Sequence, residues 1–166
     1  MKWTVVRKTK PLFRSRLVSA LGSWDAAWNE EGLFGLSNAG ENAGPGGEAP
    51  PSWLVQAWKL YWEGKEFEAR LCTWNQPTTG RAAVWGNVLA IPWGATLSYA
   101  EVGFRSGMPG GARAVGAIMR ANPWALFLPC HRVIGKDGSM RGYGGTSGIG
   151  LKARLIAFER EHIREE

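Results

Sequence analysis

An α/β fold in two parts is predicted by three features of this 166-residue sequence. Residues 1–38 alternate short apolar runs with turn residues, the pattern of a β-rich layer. A glycine- and proline-rich stretch over 40–51 then breaks every periodicity. Beyond it, apolar residues recur at three- and four-residue intervals and helix caps accumulate, so helices dominate the second half. The expected division is an N-terminal α/β domain over 1–79, with a flexible loop at 40–51, and a mostly helical C-terminal domain over 80–166.

Taken in order, 3–7, 13–21, 24–28 and 33–36 are the candidate strands, with Asn29-Glu30-Glu31-Gly32 as a turn. After the loop, Ser52 is the expected N-cap of a helix whose apolar face is Leu54, Ala57, Trp58, Tyr61 and Trp62, and Gly64 closes it. Phe67, Ala69 and Leu71 alternate with Glu68, Arg70 and Cys72, which predicts a half-exposed strand. The polar stretch from Thr73 to Gly80 marks the domain boundary, and a helix over 82–89 ends before Pro92. Ser98-Tyr99-Ala100-Glu101 has the form of a capping box, in which serine and glutamate each satisfy the other's backbone amide. Gly107-Met108-Pro109-Gly110 is a turn, and a further helix over 111–121 stops at Asn122-Pro123. Helix, glycine turn, helix is the outline of a helix-turn-helix. On its second helix Val115, Ile118 and Met119 form an apolar side, and Arg113, Gly116, Ala117 and Arg120 the other. Small residues between arginines let a helix approach a phosphate backbone closely; a plain solvated face has the same pattern.

Composition narrows the function. The net charge of +6 favours a polyanionic partner without identifying one. No apolar run nears the ~20 residues that span a bilayer, and the basic N-terminus lacks a signal peptide's apolar stretch, so a soluble protein of the cytoplasm is expected. Two cysteines and two histidines, without zinc-ligand spacing, suit a reducing compartment and a protein with no metal or cofactor. Most of the ten tryptophans read as packing residues.

Chemistry concentrates in Leu126-Phe127-Leu128-Pro129-Cys130-His131-Arg132-Val133-Ile134, where an apolar strand is expected to break at proline and resume after the histidine. A cysteine in apolar company is ordinarily a small buried hydrophobe, which describes Cys72. Cys130 differs because an imidazole follows it, and a thiol needs deprotonation before it attacks anything. Neighbouring strand residues face opposite ways, so Cys130 and His131 need irregular backbone or a bridging water to communicate. On the last helix, Leu151, Leu155, Ile156, Phe158, His162 and Ile163 form an apolar arc that also contains Lys152 and Glu159, while Arg154, Arg160, Glu161 and Arg164 lie opposite. A carboxylate in such an arc must be paired, neutral or at work. A salt bridge to Lys152 or an arginine, and the orientation of a histidine, account for Glu159 equally well. His162 reads as a packing residue. Asp137-Gly138-Ser139 predicts a hairpin after Ile134. The loop Gly142-Tyr143-Gly144-Gly145-Thr146-Ser147-Gly148 carries no phosphate-binding fingerprint, but its glycines would let backbone amides approach a planar ligand.

Pro129-Cys130-His131-Arg132-Val133 resembles the active-site signature of the O6-alkylguanine-DNA alkyltransferases, or methylated-DNA–protein-cysteine methyltransferases. Ile91-Pro92-Trp93-Gly94, Thr96, Ser98-Tyr99, Ala112-Arg113-Ala114-Val115-Gly116, Met119-Arg120, Asn122-Pro123, Gly142-Tyr143 and Lys152 with Glu159 follow in the family's order, so the resemblance covers about 84–160. It implies a ribonuclease-H-like N-terminal domain and a winged-helix-like C-terminal domain. It also implies DNA repair by direct reversal: a single-turnover methyltransferase flips O6-alkylguanine out of double-stranded DNA and takes the alkyl group irreversibly onto Cys130. By the same resemblance His131 is the base, acting through a water, Glu159 orients it, and Asn122 braces the turn holding Cys130. Arg113 fills the gap left by the flipped nucleotide, Tyr99 helps rotate it, and Ala112, Ala114, Gly116 and Arg120 meet DNA in the minor groove. Tyr143, Gly144, Gly145 and Met119 line the base pocket. The partner is DNA, with no membrane, and the protein acts as a monomer. Gly80-Arg81, Ala95 and Gly144 stand where the family commonly has Phe-Gln, an acidic residue and serine, and the loop before Lys152 is two residues longer than usual.

Three other functions fit parts of the pattern. A non-catalytic alkyltransferase-like protein would bind the lesion without an acceptor cysteine, and Cys130 opposes it. A helix-turn-helix regulator would need base-reading side chains beyond those around Arg113. A cysteine hydrolase would turn over on an ester or peptide.

Overall fold

The computed structural model describes residues 3–6, 12–40, 46–140 and 148–162. These form a mixed α/β structure that divides into two compact units, 1–76 with 123–125, and 77–122 with 126–166.

In the first unit, β2 (Phe13–Ser19), β3 (Gly22–Asn29) and β4 (Gly32–Gly40) make an antiparallel meander. Two short strands, β1 (Trp3–Val5) and β5 (Leu71–Thr73), join it in parallel, in the order β1-β5-β4-β3-β2. The β3–β4 turn closes through Asn29, whose Oδ1 accepts from the Glu31 amide at 2.9 Å. Leu17, Trp24, Ala26, Leu33 and Leu36 are buried. Helix α1 (Ser52–Trp62) covers them with Leu54, Ala57, Trp58 and Tyr61. Trp58 meets Trp24 edge-on at 6.1 Å and donates to the Val18 carbonyl at 3.0 Å.

Three expectations change here. Pro51, not Ser52, caps α1: its backbone is extended, and its carbonyl accepts from the Leu54 and Val55 amides. Gly64 closes the helix as expected, with φ +64° and the paired Gly64-to-Tyr61 and Lys65-to-Leu60 bonds of a Schellman motif. The strand expected over 67–72 forms only at Leu71–Thr73, where the chain enters between β1 and β4 and finds ladder partners. The described end of the 40–51 loop is pinned to the sheet edge. Gly47 bridges Ser15, Arg16 N–H donates to the Gly46 carbonyl at 3.0 Å, and Glu48 N–H donates to that of Arg14 at 2.6 Å. An edge strand's free backbone groups recruit whatever chain lies nearest.

The second unit holds α2 (Thr79–Leu89), β6 (Leu97–Ser98), α3 (Tyr99–Arg105), α4 (Ala112–Arg120), β7 (Val133–Ile134) and α5 (Gly148–Glu161). Helix α2 starts earlier than 82 because the Thr78 hydroxyl caps it, accepting from Arg81 N–H at 3.3 Å. The capping box of α3 is complete in both directions. Between α3 and α4, Gly107 and Gly110 take φ of +73° and +76°. A Cβ on Gly103 would stand 3.1 Å from the Met108 carbonyl oxygen, so glycine lets the turn close against α3. Val115 and Met119 are buried, while Arg113, Ala114, Ala117 and Arg120 are exposed.

The apolar run 126–128 is not a strand. Leu126 has φ +70°, which turns the chain away from any ladder. The expected hairpin after Ile134 is also absent among the described residues: β7 pairs in parallel with β6, Val133 opposite Leu97. Asp137-Gly138-Ser139 instead closes a tight loop in which Gly135 N–H donates to the Ser139 carbonyl at 2.7 Å. No described helix is long and apolar enough to cross a membrane.

Candidate active site around Cys130

Pro129 creates the site's backbone. Its φ of −78° and ψ of 63° form an inverse γ-turn, closed by Cys130 N–H donating to the Leu128 carbonyl at 2.7 Å. The chain then enters a single 3₁₀ turn, Cys130–Arg132, before β7 begins. Cys130 and His131 therefore sit on helical backbone, not on opposite faces of a strand.

The Asn122 side chain bonds this turn at two points. Its side-chain amide donates to the Leu128 carbonyl at 2.8 Å and to Cys130 Sγ at 3.0 Å. Cys130 is 7% exposed, and burial pushes its thiol up. The Asn122 bond, the Lys152 charge and the backbone amides of Cys130 and His131 oppose that rise.

His131 is fully buried. Its Nε2 lies 2.7 Å from Glu159 Oε1. A carboxylate can only accept, so Nε2 carries the hydrogen and Nδ1 keeps its lone pair. Nδ1 is buried and has no partner among the described residues. Burial holds the imidazole below its usual range, with Arg132 and Lys152 adding to that effect against the pull of Glu159. Glu159 itself is 1% exposed. Burial alone would raise its carboxyl; hydrogen bonds from His131 and Arg132, with the Arg132 charge, outweigh it and keep the group ionised.

Arg132 is the main residue that sequence reasoning left without a role. Its Nε donates to Glu159 Oε2 at 2.8 Å, Nη2 to Oε1 at 3.0 Å, and Nη1 to the Ile91 carbonyl at 2.7 Å. The guanidinium also lies over Trp93, 5.5 Å from the ring centroid. Gly94 N–H adds a bond to Glu159 Oε2 at 3.2 Å. Glu159 thus bonds the His131 ring and an arginine at once, with Arg132 as its ion-pair partner. Arg132 was visible in the motif, but no periodicity connects it to a helix 27 residues later.

Lys152 is 1% exposed and turns elsewhere. Its Nζ donates to the Val133 carbonyl at 2.5 Å and to Tyr99 Oη at 3.3 Å. Burial lowers it to about 8, partly offset by Cys130. Tyr99, half-buried, is pushed up by burial first and by Cys130 second. His162 is not a core residue: it is exposed, and its ring lies 4.3 Å from that of Phe158. Tyr143, Gly144 and Gly145 lie outside the described residues. Among the described residues, no group of three or more His, Cys, Asp or Glu could hold a metal ion.

The family profile described as "6-O-methylguanine DNA methyltransferase, DNA binding domain" matches residues 80–161. The methylated-DNA–protein-cysteine methyltransferase of Mycolicibacterium paratuberculosis is 49% identical over 79 residues, 48% of this chain and 47% of its own length. The chain therefore spans about half of that relative. The one from Methanosarcina barkeri is 34% identical over 128 residues, 70% of this chain and 78% of its own length. The crystal structure of Mycobacterium tuberculosis O6-methylguanine methyltransferase superposes with a TM-score of 0.76 at 32% identity, covering 93% of this chain and 96% of that one. A structure of the M. tuberculosis protein in complex with DNA gives 0.74 at 34% identity, covering 90% and 93%. With its Cys130 turn inside the matched profile and a relative aligned over more than three-quarters of its length, this chain belongs to the methylated-DNA–protein-cysteine methyltransferase family.

Proposed function

We propose that this protein repairs DNA by direct reversal, moving a methyl or larger alkyl group from O6 of guanine to Cys130 Sγ once per molecule. The observation that carries this is a buried thiol, held by Asn122, next to a buried imidazole whose Nδ1 lone pair Glu159 leaves available. The thiol proton passes through a water to His131 Nδ1. The thiolate, with the Lys152 charge close by, attacks the alkyl carbon; the S–C bond forms as the C–O6 bond breaks, and the electron pair stays with the base. Guanine needs one more proton at N1 than its O6-alkyl form, and the thiol has given up one, so the reaction balances without metal or cofactor.

O6 is buried in a duplex, so the base must be flipped out, at a cost of a few kcal/mol. Helix α4 suits that task. An added Cβ at Gly116 would meet nothing within 4 Å inside the protein. Internal packing therefore does not demand this glycine, although it costs the helix about 1 kcal/mol relative to alanine. Close approach by DNA explains it, with Ala112 and Ala114 equally small beside it and Arg120 at the phosphates. Arg113 would fill the vacated stack and Tyr99 rotate the nucleotide. Tyr143, Gly144 and Gly145 would line the base pocket. Met119 would border it, although its burial beside Val115 also follows from helix packing. The relative solved in complex with DNA supports DNA as the partner. We take the first unit as ribonuclease-H-like, on its meander flanked by parallel strands, and the second as the winged-helix-like DNA-binding and transfer domain. The protein would act as a cytoplasmic monomer.

Stoichiometry tests the proposal. A thioether has no leaving group that water displaces at neutral pH, so with methylated oligonucleotide in excess, repair should stop at about one lesion per protein molecule. The peptide containing Cys130 should gain one methyl in mass. Linear progress through many equivalents, or a methyl on another residue, would overturn it.

A further inference from the structure

The Glu159 carboxylate bonds two partners that compete for its charge. His131 presents one N–H to Oε1, whereas Arg132 grips both oxygens with a planar fork and is anchored in turn by the Ile91 carbonyl and the face of Trp93. An ionised carboxylate buried against a histidine ordinarily draws a proton onto it, because the imidazolium neutralises it. An imidazolium has hydrogens on both nitrogens and no lone pair with which to accept a proton. A site built only from His131 and Glu159 would therefore tend to switch its base off.

We infer that Arg132 is a positioning residue for alkyl transfer, acting through Glu159: by supplying the counter-charge itself, it keeps His131 neutral with the proton on Nε2 and the lone pair on Nδ1. This rests on the proposed role of His131 as base. The charged groups around the ring agree in direction. Glu159 on α5 favours the imidazolium; Arg132 beside it and Lys152 on α5 disfavour it, and complete burial of the ring disfavours it further. Lys152 cannot substitute for Arg132, since its Nζ is spent on the Val133 carbonyl and Tyr99, not on Glu159. A fork is needed because Oε1 must serve His131 and Arg132 at once while Oε2 takes Arg132 Nε and the Gly94 amide. A lysine at 132 would bring the charge but not that geometry.

The test is the pH dependence of single-turnover methyl transfer to Cys130, measured on the full chain with methylated duplex oligonucleotide. In Arg132→Met, His131 should hold its proton to higher pH, and the rising limb of the rate should move up by about one to three units. Transfer near pH 7 should then fall about tenfold or more and recover in alkaline buffer, with the endpoint unchanged. Arg132→Lys should restore part of the shift. In Arg132→Met/Glu159→Gln the charge that attracts the proton is gone, so the limb should return toward the wild-type position even though two residues are altered. Nitrogen-15 shifts of the His131 ring should report a doubly protonated imidazole at neutral pH in Arg132→Met alone. Should Arg132→Met not fold, the limbs of Arg132→Lys and the double variant decide: the lysine limb must lie above the other. Equal limbs in all variants, or a neutral His131 ring in Arg132→Met, overturn the inference. Absence of methyl transfer to Cys130 in the wild type instead overturns the proposed function.

Discussion

The two cysteines are both buried, both free and both raised by that burial, yet only one stands in a setting that can use a thiolate. Cys72, on β5, is 2% exposed and is pushed up to about 11, first by burial and then by the charge of Glu31. Its Sγ donates a weak bond to the Glu31 carbonyl at 3.5 Å, an acceptor that favours the protonated thiol. Cys130 sits as deep, but what surrounds it donates: the Asn122 amide, two backbone amides, and the Lys152 charge. Burial does not separate a filler cysteine from a reactive one. The sign of the surrounding dipoles does.

The sharpest break of this comparison is to remove each thiol in turn. Cys130→Ser should abolish methyl transfer while leaving duplex binding nearly intact, because the thiolate makes the bond and other groups hold the DNA. Cys72→Ser should transfer to the same endpoint at the same rate. A quench-flow assay with labelled methyl reads both; residual transfer by Cys130→Ser would move the acceptor role to Cys72.

A subtler change makes Cys130 resemble Cys72. Asn122→Ala removes the side-chain donor to Sγ, and a hydrogen bond to a charged group is worth about 1.5–3 kcal/mol. The thiol should then rise further, so transfer should slow by about tenfold or more and regain part of its rate as pH increases and the thiolate returns. Because Asn122 also holds the Leu128 carbonyl, Asn122→Asp serves as control. It keeps the size but places a negative charge at the thiol, and should be slower still. An Asn122→Ala rate equal to the wild type would show that the backbone amides and Lys152 suffice.

Much of this contrast was legible in the chain. The capping box at Ser98 and Glu101, the two faces of α4 and the apolar arc holding Glu159 all follow from residue spacing, because a helix converts spacing into direction. Cys72 read as filler and Cys130 as reactive from their neighbours alone. The polarity of the shell was less visible. Residues 126–128 read as a strand because they are apolar; Leu126 at positive φ and the γ-turn at Pro129 are decided by packing and by the bonds of Asn122, which no periodicity encodes. Arg132 sat in plain view within the motif, but its partner Glu159 arrives by tertiary folding. The Gly46–Glu48 pairing to β2 was likewise hidden, since composition marks a loop as irregular and says nothing of which strand edge it meets.

The smallest effect belongs to Cys72→Ala, and it tests whether that thiol only fills space. A Cβ added at Gly32 would stand 2.8 Å from Cys72 Sγ and still closer to the Arg70 carbonyl, so the sulfur and the backbone of β4 fill this part of the first unit together. Removing the sulfur takes away one buried heavy atom and its contacts, a loss of the order of an Ile-to-Val change, about 1 kcal/mol. The weak bond to Glu31 adds little, since the carbonyl loses a poor donor. Urea unfolding should show a lower midpoint with an unchanged slope, as for a local packing defect. The methyl-transfer rate and endpoint should not change, because Cys72 belongs to the first compact unit and Cys130 to the second. A Cys72→Ala protein that unfolds normally but transfers slowly would mean that the first unit contributes to the reaction, and the division between a packing cysteine and a working one would have to be redrawn.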